Sequence, residues 1–339
     1  MSVINNGGKN GEIRGKLNDE GIDGYDYVPN YCDHKIPKFK YHITFDEKPF
    51  YDETLENMRK DNLARIDSVT PFDYHFFKKK YVNYIFTIAA RLNLSPMIRY
   101  HALYLFDRFC SRHIENCFGT FCTANDGIPD SSSSRDWEKI ESNLSRQMTL
   151  HIMSCFQICL KTFDCKDILS PGYTARCLKT FGHLYTKDAI LKSELKVITT
   201  VEFKLWDREN PLVYVETLLA VLCSRCIFLE TKMELFYKKC IFVMDYVILN
   251  IQDIFNFVLM ENFNRTVANI EQLRFNRLLS DWLLWISSVI HIASLTMGYT
   301  ESQSKDIVNI LSTITKTPVN DIEKFSNAIL KKIGQLVDE

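Results

Sequence analysis

Apolar residues recur at helical spacing along almost the whole chain, and short polar punctuation separates the runs. A first helix is predicted over Asp52–Ile66, with Leu55, Met58, Leu63 and Ile66 on one face; a second over Tyr74–Leu92; a third over Pro96–Cys117, carrying Ile98, Ala102, Leu105, Phe106 and Phe109. Residues 118–136 then break the pattern with two glycines, a proline and four consecutive serines, which predicts an exposed insertion. The next helix, Asp136–Phe163, starts among charges, but Gln147–Leu160 holds no Asp, Glu, Lys or Arg. A helix apolar on all sides must be surrounded by others. Lys161 ends that run and has to emerge where the bundle meets solvent or a partner.

Helices over Pro171–Phe181 and Thr186–Val201 complete this first set, the latter with Thr186 as N-cap and Asp188 favourable to the helix dipole. The segment 206–211 leads to a second set, predicted over 211–227, 231–250, 251–262, 272–298, 303–315 and 319–336. Its most apolar member, Leu278–Met297, again lies inside. The expectation is an all-α protein of two bundles, each wrapped around a buried helix, although no internal sequence repeat is visible. Thr70, Ser95, Ser170 and Thr317 each precede a proline and a helical pattern, and read as N-caps.

Composition changes this picture in three places. Six of the twelve glycines lie in the first 24 residues, so the N-terminal 48 residues read as a flexible arm. The formal net charge of −1 offers no global attraction to nucleic acid or anionic membrane. Eleven cysteines within apolar helical runs, without a secretory leader, read as reduced core thiols in an intracellular protein. Trp282–Thr300 lacks charge but carries three serines, two threonines and a histidine, so it reads as a buried helix and not a membrane span.

Enzyme signatures are missing. There is no glycine-rich phosphate loop, nucleophile elbow or zinc-type histidine pair, and Cys223-x2-Cys226 stands without a second pair. His151 and His291, one in each apolar helix, read as hydrogen-bonded core residues. No catalytic residue, metal, cofactor or small-molecule ligand is expected.

The third helix contains Asp107-Arg108-Phe109, the buried fourth ends in Lys161, and the sixth opens Thr186-Lys187 with Glu194 eight residues after the threonine. This combination resembles the cyclin family. The resemblance implies two consecutive five-helix cyclin-box-like bundles, the second divergent: an arm over 1–48, a cyclin box over 49–205 and a second cyclin-like domain over 206–339. It implies that Lys161 and Glu194 grip the regulatory helix of a cyclin-dependent kinase, while Ile198, Phe203 and Leu205 pack on it. The family's Met-Arg-Ala-Ile-Leu segment falls on Phe77–Tyr81, its nearby Trp on Tyr84, so Lys78 with Asp107 stands where the family has an Arg–Asp pair. In addition, Thr186-Lys187, Ser193-Glu194-Leu195 and the run Pro211-Leu212-x-Tyr214-Val215-Glu216-Thr217-Leu218-Leu219 are similar to the cyclin N-terminal-domain-containing group of meiotic crossovers. That similarity implies a nuclear protein at crossover sites on meiotic chromosomes, partnered by a cyclin-dependent kinase and pro-crossover recombination factors, with no membrane and no direct nucleic-acid contact.

Overall fold

A computed structural model describes residues 36–40, 47–124, 131–164, 169–205, 210–263 and 272–337. Among these every regular element is helical: α1 (Lys48–Ser68), α2 (Lys79–Arg91), α3 (Pro96–Ala124), α4 (Ser131–Cys159), α5 (Pro171–Thr180), α6 (Lys187–Thr200), α7 (Pro211–Arg225), α8 (Met233–Leu249), α9 (Ile251–Phe263), α10 (Gln272–Ser280), α11 (Trp282–Leu295), α12 (Glu301–Thr315) and α13 (Val319–Val337). A π-helical turn, Leu160–Asp164, prolongs α4, and a 3-10 turn, Ile227–Lys232, leads into α8.

Helices α2 to α6 surround α4, while α7, α8, α12 and α13 surround α11, with α9 laid against α13. Both central helices are the apolar runs anticipated from the sequence. In α4, Ile152, Met153, Ser154, Cys155 and Phe156 are buried, and in α11 every residue from Trp285 to Ser294 is. No single helix among the described residues is long and apolar enough to cross a membrane. Cys110, Cys155, Cys159, Cys177, Cys223, Cys226 and Cys240 are free thiols buried as small core side chains, and Cys117 is free and half-buried.

Four expectations change. The helix predicted over 272–298 is broken at Asp281, where α10 and α11 meet at 55°. The break is made from far away: Asn62 of α1 accepts from the amides of Trp282 and Leu283 and donates to the Asp281 carboxylate, which itself accepts from the Leu284 amide. A new helix N-terminus is thereby capped twice. Secondly, α1 does not pack with the first bundle, in which the sequence placed it, but lies against α7, α10, α11 and α12. Arg65 holds it there, its guanidinium 3.6 Å from the Trp282 ring centroid and donating to the Tyr214 hydroxyl at 2.8 Å.

Thirdly, α2 starts at Lys79 and not at Tyr74, because residues 71–76 form a turn in which Tyr74 has φ of 60°. Fourthly, the expected insertion at 118–136 is helical at both ends, 118–124 extending α3 and 131–136 opening α4; residues 125–130 lie outside the described residues. Of the N-terminal arm, Ile36 and Phe39 pack against the core, Phe39 5.9 Å from the Tyr237 ring, and the rest of residues 1–46 apart from 36–40 lies outside the described residues.

The two bundles are joined through polar groups as well as apolar ones. Arg99 of α3 and Asp245 of α8 form a buried ion pair at 2.5 Å, and the Tyr100 hydroxyl donates to the same carboxylate. Asn210 caps α7 by accepting from the Leu212 amide, and its own amide donates to the Met97 carbonyl of α3. Capping by the Ser-Pro pairs holds at Ser95 and Ser170, which accept from Ile98 and Tyr173. Thr70 instead opens the turn at 71–76, accepting from the Phe72 amide.

Candidate functional site

Helix α6 is built to be fixed on one side and open on the other. Thr186 accepts from the Ala189 amide at its start, and Ile190, Ser193, Glu194 and Val197 bury one face at helical spacing. Polar anchoring adds to the apolar contact: the Ser193 hydroxyl meets both His151 Nδ1, at 3.0 Å, and Ser154 Oγ, at 2.8 Å, on α4. Burial lowers the pKa of His151 to about 3, helped by the Lys196 charge, so the imidazole is neutral in this seam.

At the far end of α4 the chain winds into the π-helical turn, where Phe163 stacks on His101 of α3 with centroids 3.7 Å apart. Desolvation also takes the His101 pKa down to about 4, with Arg108 adding to it. This stack fixes the turn, and Lys161 leaves it toward α6. Its ammonium meets Glu194 Oε1 at 2.5 Å, with the lysine side chain 43% exposed and the glutamate 10%. The two charges expected to bracket a partner thus already bracket each other.

Beside that pair α6 presents apolar side chains to solvent among charged ones. Leu191 and Leu195 are 47% and 58% exposed, one turn apart on α6, and Ile198 is half-buried in the continuation of the same helix. Past the helix end, Glu202 and Phe203 both take left-handed backbone angles, φ 56° and 60°. That conformation costs a non-glycine residue about 1–3 kcal/mol. It closes a bond from the Phe203 amide to the Ile198 carbonyl, and leaves the Phe203 ring 66% exposed. Leu205, by contrast, turns inward and lines a small cavity with Ile158, His101 and Phe163.

Of the predicted partner-facing residues, therefore, the structure brings Lys161, Glu194, Ile198 and Phe203 to one surface, and holds Leu205 against its own core. Leu191 and Leu195 carry no partner-facing role in the sequence-based expectation, although Leu195 belongs to the run that carries the family resemblance. The signal was present: Lys187, Leu191 and Leu195 share a face at i, i+4 and i+8, opposite Ile190 and Val197.

The Lys78–Asp107 pair is corrected. Asp107 is buried, and its two carboxylate oxygens accept from the amides of Tyr74 and Phe76, at 2.9 and 3.0 Å. Lys78 is exposed at the start of α2. Two amides of a tight turn satisfy the buried carboxylate where the family uses a side chain. Within the run 211–219, Tyr214 holds Arg65 of α1 and Glu216 accepts from the Tyr237 hydroxyl at 2.7 Å, its pKa raised by burial. Those contacts fasten α1 and α8 to α7. No metal-binding group of His, Cys, Asp and Glu occurs among the described residues.

No family model matches the chain, and no solved structure is significantly similar to it. It is similar to Cyclin N-terminal domain-containing protein 1 of Homo sapiens, 28% identical over 258 residues that cover 75% of this chain and 76% of the relative. The Mus musculus protein of the same name is 24% identical over 284 residues, 82% of this chain and 83% of the relative. With its all-helical architecture, the chain has a cyclin-like fold, and these relatives support a cyclin-like family.

Proposed function

We propose that this protein is a non-catalytic cyclin-like regulatory subunit that docks the regulatory helix of a cyclin-dependent kinase on α6. We further propose that it directs that kinase to designated crossover sites on meiotic chromosomes, in the nucleus, together with pro-crossover recombination factors. The observation that carries the docking reading is the outer face of α6. An opposite-charge pair, Lys161 and Glu194, lies beside exposed Leu191, Leu195 and Phe203 on a helix whose other face is locked to the core. Apolar burial would supply affinity and the charges would set register.

The test is the swap Lys161→Glu with Glu194→Lys, which keeps an internal ion pair and so preserves the fold. Kinase pull-down should weaken by about 2–5 kcal/mol, while the melting temperature holds. Unchanged capture would remove the kinase-docking reading. The meiotic reading rests on the similarity of 211–219 and is checked by imaging the tagged protein on meiotic chromosomes: foci at crossover sites support it and a diffuse or cytoplasmic signal sinks it.

A second reading, a cyclin-fold scaffold that recruits recombination factors without activating a kinase, is favoured by one feature. Lys161 and Glu194 are closed on each other, and Leu205 faces inward, so a partner could use the apolar stripe alone. Phosphorylation of a generic substrate, with and without the chain, separates the two readings.

A further inference from the structure

At the start of α6, away from the Lys161–Glu194 pair, α5 and the segment before Lys187 enclose a groove of about 370 Å³. It is lined by Ala175, Arg176, Lys179, Leu184, Tyr185 and Thr186. Leu184 is 82% exposed within it, a large apolar side chain held out on a loop where nothing of the described chain covers it. The rim is cationic. Arg176 and Lys179 are exposed, and lie four and seven residues after Gly172, on the same face of α5. Lys187 extends that line: a Cβ built on Gly172 would stand 3.7 Å from the Lys187 ammonium.

Arg176 and Lys179 therefore line a largely apolar groove, Lys187 lies against Gly172 one turn before Arg176, and no carboxylate is among the described lining residues. Asp188, the nearest acid in sequence, sits in the first turn of α6 and is not part of the lining. Among the described residues none of the three cations is ion-paired. Like charges gathered in this way repel one another until an anion is placed among them.

We propose that this groove is a docking site for an acidic linear segment of a partner protein, with one apolar residue set against Leu184 and Tyr185 and its carboxylates or phosphates facing Arg176, Lys179 and Lys187. The groove uses none of the residues assigned to kinase docking, so the proposal stands apart from that reading.

The probe is a short fluorescein-labelled peptide of Glu and Asp around a single central Leu, titrated against the full chain by anisotropy. The expectation is saturable binding that R176E/K179E weakens by about tenfold or more, since two rim attractions become repulsions. Leu184→Asp should weaken it comparably. All three side chains are exposed, so the variants should melt as the wild type does. The Lys161→Glu/Glu194→Lys swap should bind the peptide unchanged, which separates this site from the kinase face. The proposal is overturned if the wild type fails to bind, or if R176E/K179E binds equally well. It is overturned too if a peptide with Ser for the Leu, or a single-stranded DNA of equal charge, binds as tightly, since either would mean diffuse charge attraction without an anchor.

Discussion

The two buried helices are anchored in the same way and differ in what their partners show to solvent. In the first bundle His151 of α4 bonds Ser193 of α6; in the second His291 of α11 bonds Ser326 of α13, each at 3.0 Å through Nδ1. A further serine joins each seam: Ser154 Oγ meets Ser193, and Ser288 Oγ lies 3.3 Å from the Ile322 carbonyl of α13. The pKa of both imidazoles is lowered by burial. The two seams share this chemistry although no residue-by-residue repeat is visible in the sequence. The outer faces differ. Helix α13 exposes Asp321, Lys324, Asn327 and Lys331, and no large apolar side chain through Gly334, whereas α6 exposes Leu191 and Leu195. The seam is what the architecture requires of both helices, and the exposed Leu191 and Leu195 of α6 are not part of it.

The strongest way to break the equivalence is at neither seam but between the bundles. Asp245→Ala leaves the Arg99 guanidinium buried without its carboxylate, and should cost about 3–5 kcal/mol in urea unfolding. If the two halves then melt separately, the pair is what makes them one cooperative unit.

Acid should separate the seams next. A histidine buried neutral binds fewer protons folded than unfolded, so stability is complete above its unfolded pKa near 6.5 and is lost as pH falls below it. For His151 that loss continues down to about pH 3. Its contribution is on the order of 5 kcal/mol at most, and comparing the wild type with His151→Gln across that window should reveal it as a flatter pH dependence in the variant.

Smaller effects test whether the seams are interchangeable. Ser193→Ala and Ser326→Ala each strand an imidazole nitrogen in the core, and each should destabilise by about 1–3 kcal/mol. Equal losses, measured by thermal unfolding, would support one device used twice. The smallest change in stability is expected from Leu191→Lys with Leu195→Lys, which gives α6 an outer face like that of α13. Stability should stay within about 0.5 kcal/mol, while capture of the kinase falls away. A retained kinase would show that the apolar stripe has another purpose.

What the sequence made legible was whatever depended on neighbours along the chain. The buried runs of α4 and α11, the Thr186 cap and the hydrogen-bonded core histidines were all readable from spacing and local chemistry. What escaped depended on distant groups. The break at Asp281 exists because Asn62 reaches it from 219 residues away. Asp107 was read as half of an ion pair, since nothing in its local sequence shows two amides of a turn arriving 31 and 33 residues upstream. At the site, the charges Lys161 and Glu194 could be placed by resemblance. So could the outward Phe203, but not the two left-handed residues that present it, at positions that carry no glycine, nor the inward turn of Leu205.

The position of α1 has a kinetic consequence. It precedes every other described helix along the chain, yet Asn62 and Arg65 find these partners on α7 and at the start of α11, 149 to 221 residues later. Until those helices have emerged, α1 must wait with a buried-type arginine and its apolar face in water, a long-range closure of the kind that slows folding. Without α11, Arg65 would keep Tyr214 of α7 but lose the Trp282 ring, and Asn62 would lose the amides it caps, so α1 is fully fastened only when both parts of the second bundle are in place.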